Sequence, residues 1–232
     1  MPAEPKRRPM TEASVRRMLS KAESSFRRCW KFLESVRWNK KKRNIEASGA
    51  ELKAFQPTLA DALFALSRGY QRLEQNKNAL IERKAKIPGD RFATRMARLS
   101  TLQGYLRRAI NIGFDLGDGF AWIFYQSDPD LLNEHARQPR SNFLPTGLGG
   151  RGEIEFIRNL QRMGDFFLLY HGITSLLRLG DVTLLSVEGM RAVGLGELKT
   201  KQGDQPNKLQ ITLVKGRLVR STRGRLKLVH PR

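Results

Sequence analysis

Apolar residues recur at three- and four-residue steps through Val15, Met18, Leu19, Ala22, Phe26, Trp30, Leu33 and Val36. That period predicts a helix from an N-cap at Thr11 to about Trp38. A second stripe, Leu63, Leu66, Tyr70, Leu73, Leu80 and Ile81, predicts a helix from Leu59 to about Ala85, with Thr58 as N-cap after Pro57 and Pro88-Gly89 as its stop. A third begins near Asp90 and carries Phe92, Met96, Leu99, Leu102, Leu106 and Ile110. The next stretch sets Gly113, Gly117 and Gly119 among Phe120, Trp122, Phe124 and Tyr125. Glycines there allow a helix to pack closely, so this run is the expected buried centre of a bundle. Asp128-Pro129 opens a short helix through Ala136.

Beyond residue 140 the pattern changes. The stretch Thr146-Gly-Leu-Gly-Gly-Arg-Gly152 lacks the Gly-Lys-Ser/Thr of a phosphate loop and follows no strand, which makes residues 141–150 a linker. Gly152 to Met163 is then helical. At about 100° per residue, Ile154, Phe156, Ile157, Leu160 and Met163 average to a direction near that of Glu153, with Glu155 nearly opposite. Glu153 therefore points at the sheet, where a carboxylate is costly without a cation or donor. Strands are expected at residues 165–170, 176–187 and 191–199, with Glu188-Gly189 as a hairpin turn, and short ones at 209–214, 217–219 and 226–229. The predicted class is α+β, a helical bundle at 11–140 followed by an α/β domain with a mixed sheet at 151–232, all preceded by a disordered basic arm at 1–10.

Charge narrows the partners. The 232 residues hold 43 Lys+Arg against 22 Asp+Glu, a net +21, with a sequence pI near 10.9. An apolar fraction of 40% fits a folded chain, and the charge calls for a polyanion. No run reaches the length of a membrane span, and the N-terminus has no apolar signal core, so a cytoplasmic protein with no membrane partner is expected. Arg16, Arg27 and Arg28 on the first helix, the run Lys40-Lys41-Lys42-Arg43, and Lys201 are the expected phosphate contacts. Trp38 either stacks on a base or packs. The single cysteine, Cys29, reads as a packing residue.

The chemistry sits between Arg178 and Lys201. Glu197 and Lys199 share a strand face, Asp181 lies one hairpin earlier, and Glu153 comes from the preceding helix. Asp115 and Asp118, three apart, read as caps or as partners of Arg107 and Arg108 sooner than as metal ligands. His171, at the end of the first strand, reads as a hydrogen-bonding residue.

This order of helix, strand, strand with Asp181, hairpin, and strand with Glu197-Leu198-Lys199 resembles the PD-(D/E)xK nuclease superfamily over about residues 152–201. Asp181 matches the first motif, with Gly180 where proline is common, and Glu197 and Lys199 match the second. The phrases Ile173 to Leu185 and Gly194 to Lys201 also look like uncharacterised bacterial members, some associated with phage defence. The resemblance implies a restriction-endonuclease-like domain, with Mg²⁺ or Mn²⁺ held by Asp181, Glu197, the Leu198 carbonyl and Glu153, and Lys199 orienting water or stabilising charge. It implies a metal-dependent endonuclease acting on DNA in preference to RNA, in a bacterial defence setting; because an uncontrolled basic nuclease would endanger its host, regulation by a partner is expected, and a protein partner or a homo-oligomer is the expected assembly. One departure is visible: residues 202–232 read as hairpin where the superfamily continues with a helix. The alternative is a non-catalytic basic nucleic-acid-binding or assembly subunit in which Asp181, Glu197 and Lys199 form an ion-pair cluster.

Overall fold

The structure is a computed structural model that describes residues 10–39, 44–46, 48–126, 128–137, 147–159, 166–186, 192–202, 209–220 and 226–229. Helix α1 (Glu12–Ser35) starts where expected, with the Thr11 hydroxyl accepting the Ser14 N–H at 3.2 Å. It ends earlier than predicted, in a small antiparallel hairpin of β1 (Arg37–Asn39) and β2 (Asn44–Glu46). Helix α2 (Gly49–Glu82) begins ten residues before the predicted start at Leu59, capped by Ser48. Pro57 lies inside it, and the backbone bond it forfeits is set against the burial of Phe55, Gln56, Leu59 and Ala60 on either side. Helix α3 (Gly89–Tyr125) joins the predicted third helix and the glycine-rich run into one rod, with Gly113, Gly117, Phe120, Phe124 and Tyr125 buried as expected. Helices α4 (Pro129–Ala136) and α5 (Gly147–Asn159) follow, so α5 begins within the residues expected to form a linker.

The second half is a five-stranded meander: β3 (Phe166–Tyr170), β4 (Val182–Ser186), β5 (Ala192–Gln202), β6 (Leu209–Arg220) and β7 (Leu226–Val229), in that spatial order. Every pairing is antiparallel, which corrects the expected mixed sheet; each strand feeds its neighbour and no crossover helix intervenes to make a parallel pair. The α+β class stands. Strand β6 is one long element where two short strands were expected, and β4 starts at Val182, because residues 171–181 form a 3-10 turn and a tethered loop.

Bundle and sheet share one apolar core running from Met10 to Leu185. Phe55 of α2 and Phe120 of α3 stack with centroids 4.0 Å apart, and Phe167 of β3 packs on Phe124 at 5.2 Å. Leu59, Leu63, Leu66, Leu73, Leu106 and Ile110 are fully buried, and each such side chain contributes about 1.5–3 kcal/mol of transfer free energy. The outer edge of β3 is closed by a side chain. Gln56 donates from Nε2 to the Leu168 carbonyl at 2.6 Å and accepts the Tyr170 N–H at 2.7 Å, so α2 supplies the pairing that a further strand would give. Cys29 is buried, and burial pushes its thiol up to about 12, which suits packing and leaves no nucleophile.

Candidate active site at the end of β4

Asp181 is fixed at three points. Its N–H donates to the Gly196 carbonyl at 2.8 Å and its carbonyl accepts the His171 N–H at 2.9 Å. Its Oδ2 accepts the Leu198 N–H at 2.7 Å. Strand β4 pairs with β5 only as far as Val182 opposite Gly196, and β5 continues to Gln202 paired with β6 alone. The carboxylate thus occupies the ladder position the next β4 residue would fill. Gly196 and Leu198 both turn their polar groups toward this side of β5, which directs the Leu198 carbonyl there too.

Just before Asp181, Gly180 has φ 72°, in the left-handed region. A proline is locked near −65°, so this backbone excludes proline at position 180 and suits glycine. The loop reaching it is held from the bundle. Asp118 of α3 accepts the N–H groups of Ser175 and Leu176 at 2.6 and 3.0 Å and the Ser175 hydroxyl at 2.5 Å. A Cβ on Gly117 would sit 1.8 Å from the Ile173 carbonyl oxygen, so α3 touches the loop backbone directly. Asp118 is therefore a loop cap, its carboxyl raised by burial, and it bonds neither of the arginines named as its partners; Asp115 is exposed.

A buried polar chain, most of it invisible to local sequence patterns, completes the scaffold. The Nδ1 of His135 accepts the N–H groups of Arg178 and Leu179, both at 3.1 Å, so its proton is on Nε2, which donates to the Tyr125 hydroxyl at 3.1 Å. Tyr125 then donates to Thr183 at 2.8 Å, and Thr183 to the Nε2 of His171 at 2.7 Å. His171 donates from Nδ1 to the Gly180 carbonyl at 3.0 Å. Each hydrogen has one direction when both imidazoles are neutral. Burial keeps them so, pushing His135 down to about 4 and His171 well below its ordinary value. The expected hydrogen-bonding role of His171 is what the structure shows. His135, Tyr125 and Thr183 carry no local signal, being joined only by the fold.

The carboxylates flank Asp181 on different sides. Glu153 of α5 is half-buried, as the helical wheel predicts, and accepts a hydrogen bond from the Tyr170 hydroxyl. Burial, with the Asp181 charge adding to it, pushes Glu153 up to about 7 against the pull of the Tyr170 bond. On β5, Lys199 Nζ meets Glu197 Oε2 at 2.6 Å, and both side chains reach solvent. Its bond to Glu197, and Asp181 more weakly, raise Lys199 further, so it is a fixed cation and not a base at neutral pH. Gly152 of α5 packs directly against the Thr200 side chain. Alternation along β5 then puts Glu197, Lys199 and the exposed Lys201 on the face away from α5.

The structure therefore brings Asp181 near Glu153 on one side and near Glu197 with Lys199 on the other. Among the described residues no group of three or more Asp, Glu, His or Cys side chains is close enough to hold a metal ion. The expected three-carboxylate set is not gathered. Of the expected phosphate contacts, Arg16, Arg27 and Arg28 are exposed on α1, the first two paired with Glu12 and Glu23. Lys40, Lys41, Lys42 and Arg43, and the side chain of Trp38, lie outside the described residues.

No described helix is long and apolar enough to cross a membrane. No family model, curated protein or solved structure matches the chain.

Proposed function

We propose that the protein is a metal-dependent phosphodiesterase acting on nucleic acid, DNA in preference to RNA, with its centre at Asp181, Glu197 and Lys199. The observation that carries this reading is a carboxylate pinned to the Leu198 N–H, between Glu197 and Lys199 on the same strand, in a chain of net charge +21. Asp181, Glu197 and the Leu198 carbonyl are hard oxygen donors of the type Mg²⁺ or Mn²⁺ takes, and they are the residues that would hold it. Such a cation supplies an activated water and polarises a phosphoryl oxygen. Lys199 contributes positive charge beside the phosphate that undergoes attack. Glu153, repelled by Asp181, stands behind this set as a proton-bearing neighbour. The cationic side chains of α1 and Trp30, 55% exposed between Arg27 and Lys31, are suited to a nucleic-acid backbone and to base stacking.

Plasmid and linear duplex DNA incubated with the purified chain, with Mg²⁺ or Mn²⁺ against a chelator, tests this. Cutting is expected only with the cation, and Asp181→Asn and Lys199→Ala are each expected to lower the rate by about 10²-fold or more while duplex affinity changes little.

A second reading, a non-catalytic nucleic-acid-binding subunit, is favoured by the separation of the carboxylates and the closed Glu197–Lys199 ion pair. No cleavage with either cation, together with affinity that falls steeply with salt, would establish it in place of the first.

A further inference from the structure

The end of the bundle remote from the sheet holds a cleft of about 680 Å³. It lies where the start of α1, the end of α2 and the early turns of α3 meet, about 27–37 Å along α3 from the Phe120 region that packs on the sheet. Leu80, Ile87, Leu99 and Leu102 give it an apolar floor. Arg83, Lys86, Arg95 and Arg98 form its rim. Glu12 is the one carboxylate in the lining among the described residues, and it is already taken by Arg98 and Arg16, both at 2.7 Å. Arg83, Lys86 and Arg95 take part in none of the ion pairs between described residues.

We propose that this cleft docks an acidic amphipathic helix of a partner protein. Such a helix presents an apolar stripe to the floor and carboxylates to the rim, the combination the cleft lacks. The chain's own first residues are unsuited, since Lys6, Arg7 and Arg8 against Glu4 carry the sign of the rim. A DNA duplex would satisfy the rim and leave the floor uncovered, and among the described residues no aromatic ring lines the cleft for a base to stack on. The proposal goes beyond the nuclease reading and does not depend on it, because no residue near Asp181 takes part.

Fluorescence anisotropy at about 0.15 M salt tests it with a labelled peptide of about five helical turns, leucine at i, i+3, i+4 and i+7 and glutamate elsewhere. The controls are a scrambled peptide of equal composition and a short labelled DNA duplex. The patterned peptide is expected to bind the full-length chain at least about tenfold more tightly than the scramble. The double variant R83E/R95E, both sites exposed, is expected to lose at least that factor with its thermal unfolding unchanged, and Asp181→Asn to bind the peptide as the native chain does. Equal binding of the scramble, or peptide affinity unmoved by R83E/R95E, overturns the proposal. So does a variant that weakens duplex binding alone, which would make the cleft a nucleic-acid contact.

Discussion

Glu153→Gln isolates the electrostatic cost of the candidate site. In the folded protein the Glu153 carboxyl titrates near 7 because it is buried and faces Asp181, against an ordinary value of 4.5. A raised folded-state pKa means that the folded state holds the proton more tightly than the unfolded chain. Its contribution is fully present below pH 4.5 and is lost as pH rises toward 7 and beyond. The gap of about 2.5 pH units, at about 1.36 kcal/mol each, amounts to about 3 kcal/mol. Glutamine has the same shape, stays neutral, and keeps an oxygen for the Tyr170 hydroxyl. Relative to the native chain, the variant is therefore expected to gain about 3 kcal/mol of stability at pH 8 over its relative stability at pH 4.5. Urea unfolding at a series of pH values reads this directly, with equal m-values showing that the unfolded surface is unchanged. A difference between the two proteins that does not vary with pH would refute the burial and repulsion argument. The same titration with Mg²⁺ present reports on the site, since a cation between Glu153 and Asp181 would narrow the gap.

Three further outcomes follow from the scaffold behind Asp181. His135, held down to about 4 from an ordinary 6.5, has a depressed folded-state pKa, so its contribution is present above pH 6.5 and lost as pH falls to about 4, by about 3 kcal/mol. In the native chain Glu153 offsets this over much of the same window; in the Glu153→Gln background the urea midpoint is expected to fall steeply with acid, and His135→Gln, which keeps an acceptor without titrating, to flatten the fall. Gly117→Ala forces a methyl onto the Ile173 carbonyl and is expected to cost about 1–3 kcal/mol by urea unfolding, whereas alanine at Gly104, where nothing lies within 4 Å, is expected to cost nothing. Gly180→Ala must adopt φ near 72° and is expected to lose about 1–2 kcal/mol, and Gly180→Pro, which cannot adopt it, to lose more; crosspeaks of Leu198 and Gly196 in an amide NMR spectrum should move with both.

Periodicity in the sequence carries information about which side of an element a residue occupies, and little about what lies opposite. The stripes of α1 and α3 and the inward turn of Glu153 were legible because each depends on one helix. So was the shared face of Glu197 and Lys199. The structure starts α2 before Pro57, where a local start signal is overruled by the packing of Phe55 on Phe120 and the bond of Gln56 to Leu168, 112 residues away in the chain. Which face of the sheet α5 covers depends on Gly152 meeting Thr200, and that contact sets Glu153 apart from Glu197. The chain through His135, Tyr125, Thr183 and His171 links residues up to 58 positions apart and has no repeat to betray it.

The two halves of the candidate site differ in how freely they move, and that difference suits the proposed chemistry. Asp181 is tied through its N–H, its carbonyl and its carboxylate. Behind it are a loop capped by Asp118 and two histidines kept neutral by burial. Displacing it would break several buried hydrogen bonds at once, each costly to leave unmade. Glu197 and Lys199 meet in an ion pair, with 30% and 57% of the side chains exposed, of a kind that contributes little to stability. A purely structural ion pair would need no such anchoring of its neighbour. The fixed placement of Asp181 beside Glu197 and Lys199 is the feature the proposed cation site would use.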